Sequence, residues 1–169
     1  MAMFTEINPF AIQDNPFTLI GKDWMLITAG ETDSMNTMTA SWGGLGVLWN
    51  KPVSYCFVRP TRHTYGFMED RDFYSLSFFE PSYRSALELC GRVSGRDTDK
   101  IADAGLTPCT DREAPYFDEA RLVLVCRKLY TQDIDPARFI DTSLAQHYPD
   151  ADYHRVYVGE VVRVLRRED

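Results

Sequence analysis

The sequence predicts a mainly β, largely antiparallel barrel with a few peripheral helices, on three observations. Residues 119–130 alternate, with Ala120, Leu122, Leu124 and Cys126 on one side and Glu119, Arg121 and Arg127 on the other. That is the period of a half-buried strand. Residues 53–58 and 73–79 are rich in β-branched and aromatic side chains and are bounded by turn signals. Helical stretches are few and short, so the strand–helix alternation of a parallel doubly wound sheet never builds up.

In chain order, residues 17–28 read as two strand-like pieces around Gly21-Lys22-Asp23. The strand over 53–58 is followed by a short helix running to Met68, for which Thr61 suits the N-cap. After the strand over 73–79, Ser82 suits the N-cap of a helix over 83–90. A third helix is expected over 97–104, closed by Gly105 at the position that favours a left-handed residue. Residues 153–165 form a long final strand, in which Gly159 signals a bulge or a close backbone approach. Neither repeat nor low-complexity linker divides residues 1–169, so one domain is expected.

Composition narrows the function. With 18 basic and 25 acidic side chains the net charge is −7, which argues against a nucleic-acid surface or an anionic membrane as partner. The first ten residues, MAMFTEINPF, have neither a basic start nor an apolar core, so no signal peptide is expected. The four cysteines (Cys56, Cys90, Cys109, Cys126) form no C-x-x-C and have no clustered histidine, so no metal site is expected. Reduced thiols in a cytoplasmic protein are the natural reading.

Chemistry concentrates in residues 36–62, NTMTASWGGLGVLWNKPVSYCFVRPTR. Small and hydroxyl residues at Thr37, Thr39, Ala40 and Ser41 let a backbone approach a flat ligand closely. Arg59 and Arg62, with Thr61 and Thr64, suit a phosphate. A planar ring with a phosphate tail, as in flavin mononucleotide (FMN), fits both ends. Each residue also has a plainer reading: strand hydroxyls for the threonines and Ser41, and ion pairs with Glu69 or Asp70 for the arginines. The dinucleotide fingerprint G-x-G-x-x-G is missing, so any nucleotide would bind in another manner.

Four motifs in series carry a resemblance: Met38-Thr39-Ala40-Ser41-Trp42-Gly43, Arg59-Pro60-Thr61-Arg62-x-Thr64, Cys90-Gly91-x-x-Ser94-Gly95-Arg96-Asp97-x-x-Lys100 and His154-x-x-x-Val158-Gly159-Glu160-Val161. With them the chain resembles the flavin reductase-like family of FMN-binding split barrels, flavoredoxin-like members in particular. The resemblance implies a six-stranded Greek-key barrel that forms a homodimer with one FMN per subunit. It implies that Thr39, Ala40, Ser41 and Trp42 bracket the flavin ring, and that Arg59, Thr61, Arg62 and Thr64 hold the ribityl chain and phosphate. Ser94 and Lys100 match positions that lie near the cofactor. His154 matches a histidine beside flavin and nicotinamide, the one catalytic candidate. The implied activity is hydride transfer from NAD(P)H to FMN and onward to free flavin, a partner protein or a small acceptor. The alternative is an electron carrier whose FMN another protein reduces.

Overall fold

The structure, a computed structural model, describes residues 2–168. Its elements are β1 (Phe4–Ile7), α1 (Pro16–Thr18) running into a π-helical turn (Leu19–Asp23), β2 (Met25–Glu31), β3 (Ser34–Ala40), β4 (Gly43–Leu48) and β5 (Lys51–Val58). There follow α2 (Thr64–Asp70), β6 (Phe73–Phe78), α3 (Arg84–Arg92), α4 (Lys100–Asp103), the short β7 (Pro108–Cys109) and β8 (Tyr116–Phe117), β9 (Leu122–Asp133) and β10 (Arg155–Arg167).

All strand pairings are antiparallel, in the order β3-β2-β6-β9-β10-β5-β4, with β1 added against β10. The mainly antiparallel barrel with peripheral helices is what the sequence predicts. The strand count is corrected: the sheet has eight strands where six were implied. β3 and β4 are the two ends of the path, yet only Ser41 and Trp42 separate them in the chain. Three peptide units span no more than about 11 Å, so the sheet must roll until its edges meet. They meet without pairing, since the ladder of β3 ends at Ala40↔Met25 and that of β4 begins at Gly43↔Cys56. This leaves a seam in the barrel wall.

Two apolar clusters fill the fold. One lies inside the barrel and includes Ile27, Met38, Cys56, Tyr74, Leu124 and Val164. The other lies outside the sheet, under α3 and the segment after it, and includes Leu26, Leu87, Cys90, Phe117, Val123 and Val125. β9 is therefore buried on both faces as far as Cys126, which corrects the expectation of a half-buried strand. Its outward side carries Val123 and Val125, which α3 and neighbouring residues cover.

The strand expected at the start of 17–28 is replaced by helical turns. The side chain of Asn15 accepts from Phe17 N, Pro16 follows at the first helical position, and Leu19 and Ile20 turn inward as one buried pair. α2 starts at Thr64 rather than after Thr61, and no side chain caps it. The 83–90 helix becomes a 3-10 turn (Pro81–Tyr83) leading into α3, without a cap from Ser82. The third helix is shorter than expected and capped by Asp99, with Gly105 left-handed (φ +67°) just beyond its end. Gly159 has both features the sequence suggested. The register against β9 shifts between Val158 and Gly159, and a Cβ there would lie 2.2 Å from Tyr74 Oη.

Candidate functional site

The seam opens into a cavity of about 210 Å³ lined by Met38, Thr39, Ala40, Ser41, Trp42, Phe57, Arg59, Arg62 and His154. On the other side of Thr39–Ser41 lies a second hollow of about 370 Å³, walled by Trp24, Leu87, Glu88, Gly91 and Arg92. Residues more than a hundred positions apart thus meet at one opening. The fold brings together seven of the expected site residues: Thr39, Ala40, Ser41, Trp42, Arg59, Arg62 and His154.

The local geometry explains how each is held. Thr39 anchors β3 to α3 by donating its hydroxyl to Leu87 O at 2.5 Å. Ser41 and Trp42 fall between the two ladders, so their backbone groups are not used in the sheet. Trp42 is about half exposed and packs edge-on against His147, with ring centroids 5.4 Å apart, and obliquely against His154.

The two arginines are held differently. Arg59 donates to Asp152 at 2.7 Å and to His147 O at 2.9 Å, and its guanidinium lies 4.8 Å from the centre of the Tyr148 ring. It fastens the β9–β10 connection over the cavity. Arg62 donates through both terminal nitrogens to Gly91 O at 3.1 Å, and it pairs with no carboxylate among the described residues. Burial and the nearby Arg59 both disfavour its charge, in that order. Neither arginine takes Glu69, which goes to Arg155 and Tyr157 instead. A half-buried cation with no counter-charge is unfavourable on its own and suits an anionic ligand.

His154 is 7% exposed, with Nδ1 at 2.8 Å from the Tyr148 hydroxyl. Burial, then Arg59, lowers its pKa to about 4 against the opposing pull of Asp152. The ring is therefore neutral at pH 7, with Nδ1 and the Tyr148 hydroxyl sharing one hydrogen bond in which the tautomer sets the donor. No side chain of the described residues partners Nε2. Ser77 Oγ is the one fully buried side-chain nitrogen or oxygen among them that lacks a partner, so Nε2 reaches open space. At this residue that space is the cavity.

Four expected residues do not line the cavity. Thr61 lies in the turn before α2 and its carbonyl accepts from Arg96 at 3.4 Å. Thr64 is buried, its hydroxyl accepting from Asn36 Nδ2 at 2.8 Å. Ser94 Oγ accepts from Arg96 N at 3.2 Å. Lys100 is 3% exposed and donates to Cys90 O and Val93 O at the end of α3. Burial first, then Arg62, lowers its pKa to about 8, against the Cys90 thiol. Residues missed from the sequence are His147, Tyr148 and Asp152, all on the connection clamped by Arg59. The one local signal was the density of aromatic and ionisable residues in His147-Tyr-Pro-Asp-Ala-Asp-Tyr-His154.

The donor set suits a flat ring with an anionic tail: free backbone groups and a hydroxyl at residues 41–42, the Nε2 side of His154, an exposed indole, and Arg62 in the same lining. Nothing in it is a metal centre, and no group of three or more His, Cys, Asp or Glu able to hold an ion occurs among the described residues.

An antiparallel barrel whose two end strands meet without pairing, with a cavity at that seam, fits the split-barrel architecture named for a solved neighbour from Shewanella frigidimarina. Residues 19–169 match the model of the flavin reductase-like domain, and the chain belongs to that family. Among solved structures it is similar to the flavoredoxin of Methanosarcina acetivorans, at 22% identity and TM-score 0.66 over 84% of this chain and 67% of that one. The flavoredoxin of Desulfovibrio vulgaris gives 21% identity and TM-score 0.65 over 86% and 69%. The NADH:FAD oxidoreductase of Streptomyces globisporus gives 17% and 0.63 over 86% and 77%. These identities establish the shared fold. No curated protein matches the sequence.

Proposed function

We propose that this protein is an FMN-binding oxidoreductase, accepting a hydride from NAD(P)H and passing the electrons to free flavin, a partner protein or a small acceptor. One observation carries the reading: a half-buried Arg62, without a carboxylate among the described residues, lines the same cavity as Thr39–Trp42. The family match and the flavoredoxin and NADH:FAD oxidoreductase neighbours support it.

FMN, once bound, would supply the redox chemistry itself. The chain has the simpler tasks of binding, orienting and excluding water. Residues 39–42 hold the ring by backbone groups and the Ser41 hydroxyl, Trp42 covers it, and Arg62 takes the phosphate. Neutral His154, in the tautomer that takes the Tyr148 hydroxyl proton at Nδ1, would donate from Nε2 to a carbonyl-type acceptor and orient it. It is poorly suited to taking up a proton at pH 7, since burial and Arg59 disfavour its cation.

Purified protein incubated with FMN is expected to turn yellow and keep the colour through gel filtration. Anaerobic NADH or NADPH is expected to bleach it. Failure to retain FMN sinks the reading. Retention without bleaching by either nicotinamide leaves the alternative, an electron carrier reduced by another protein.

The homodimer belongs to the same proposal. β4 ends the sheet path, and Phe10, Phe17, Val47 and Trp49 are exposed around it, Phe17 at 87%. An apolar patch beside an open strand edge suits a second copy. Light scattering coupled to gel filtration is expected to give twice the chain mass of 19.4 kDa, and a monomer at micromolar concentration would refute it. A cytoplasmic setting accords with the four free, buried cysteines. No helix among the described residues is long and apolar enough to cross a membrane.

A further inference from the structure

We propose that residues 135–153, in the connection between β9 and β10, form a lid over the seam cavity, latched shut by the Arg59–Asp152 ion pair and released when that pair breaks. The lid presupposes that the cavity is a ligand site, as proposed above, and adds how a ligand enters and leaves it.

The connection is long and lightly built. Between Ile134 and His154 only Tyr148 and His154 are buried, and regular structure amounts to two 3-10 turns, Pro136–Arg138 and Thr142–His147. Connections longer than roughly 12–15 residues without structure of their own are uncommon and usually functional. A segment with so few buried contacts opens more readily than the strands beside it. Its own packing is internal. Phe139, Tyr148 and Tyr153 form one aromatic group, with the two tyrosine ring centroids 4.9 Å apart.

Its attachment to the barrel is narrow. Among the described residues, every hydrogen bond and ion pair from 135–153 to the rest of the chain ends on Arg59 or His154. Arg59 does most of this, by donating to Asp152 and to His147 O and by lying over the Tyr148 ring. The His147 ring also packs on Trp42. Arg59, Trp42 and His154 all line the cavity, so the segment is fastened to the rim it covers. The Arg59 and Asp152 side chains are 24% and 18% exposed, so solvent and salt screen this pair less than an open surface pair.

Two further observations favour opening. The cavity holds about 210 Å³, less than the roughly 300–1,000 Å³ of pockets that enclose a small-molecule ligand. A ring with a tail gains the missing room when the cover lifts. Ala151, next to Asp152, has φ +55°, a left-handed conformation that is unfavourable for a residue with a Cβ. Such strain persists where neighbouring contacts enforce it, and the contact beside Ala151 is the latch.

Access to His154 measures the lid without any ligand. Diethyl pyrocarbonate modifies neutral imidazole, and peptide mass spectrometry separates His154, at the rim, from His63, before α2. Asp152→Asn is expected to speed modification of His154 about tenfold, the weight of one charge-assisted contact, and to leave His63 unchanged. Arg59→Gln is expected to give the same acceleration, and the double variant no more than either alone, since both changes open one latch. Burial, before either charge, keeps the His154 ring neutral, so the rate reads access rather than protonation. Asp150→Asn, the same change at an exposed neighbour, alters nothing. Unchanged His154 reactivity in both single variants overturns the lid, as does an additive double variant. Equal acceleration of His63 also overturns it, because the whole fold has then loosened.

Stopped-flow binding of FMN to Asp152→Asn supplies the second arm. A latch sets rates more than affinity, so association and dissociation are both expected to rise about five- to tenfold, with Kd within about threefold of wild type. A rise in dissociation alone overturns the lid and makes Asp152 an ordinary support of the bound ligand. Protein that binds no FMN while His154 responds as expected loses the flavin reading and keeps the lid. FMN binding with an unresponsive His154 does the reverse.

Discussion

Arg62→Ala is expected to weaken FMN binding by roughly 10- to 100-fold, the loss of one charge-assisted, two-pronged contact worth about 1.5–3 kcal/mol. The estimate lies in this range because Arg62 is half-buried and has no competing carboxylate, so its charge is available to a phosphate. Arg59 is a different case, already committed to Asp152 and to His147 O. Arg62→Lys separates charge from shape: it keeps the cation, loses the planar fork, and should fall between wild type and alanine. Arg138→Ala serves as the control, since Arg138 is exposed and pairs only within its own turn. His147 would be a poor control, because its ring packs on Trp42 and its carbonyl accepts from Arg59. Fluorescence titration with FMN reads all three variants. Equal affinity in Arg62→Ala and Arg138→Ala would show that the anionic end of the ligand lies elsewhere.

Gly159→Ala is expected to destabilise the fold by about 1–3 kcal/mol or more, an overpacking effect. An added Cβ would meet Tyr74 Oη at 2.2 Å and the ring carbon behind it at 2.8 Å. Tyr74 cannot swing away. It is fully buried in the barrel, and its hydroxyl is bonded to Ser54 Oγ at 2.7 Å. The urea midpoint should fall accordingly. Adding Tyr74→Phe removes the atom in closest conflict and should restore part of the loss, whereas Tyr74→Phe alone should cost stability by deleting a buried hydrogen bond. If Gly159→Ala unfolds at the wild-type midpoint, the close approach of β10 to Tyr74 is not as described.

The barrel was legible wherever strand pattern and chain neighbourhood coincide. β5, β6 and β10 announce themselves by β-branched and aromatic residues, and Gly159 by being the one glycine of a long strand. Residues 17–23 were misread because Leu19 and Ile20 are apolar neighbours that suit a strand or a buried helical turn equally well; Asn15 and Pro16 decide it. β9 looked half-buried because alternation reports one face only, and the cover over Val123 and Val125 comes from distant residues. The site divides in the same way. Thr39–Trp42 and Arg62 could be picked out from their own stretch of chain. That Arg59 turns to Asp152, or that Thr64 is used up by Asn36, follows from contacts 93 and 28 positions apart, and no local pattern records them.

The seam between β3 and β4 is set by the two residues, Ser41 and Trp42, that bridge it. A substitution there changes the chemistry of the opening but leaves the upper limit on its span alone. Only a change in the number of peptide units raises or lowers that limit. The widest opening this barrel can reach is therefore encoded by a count and the chemistry of its rim by composition, two properties that insertion and point mutation can vary independently.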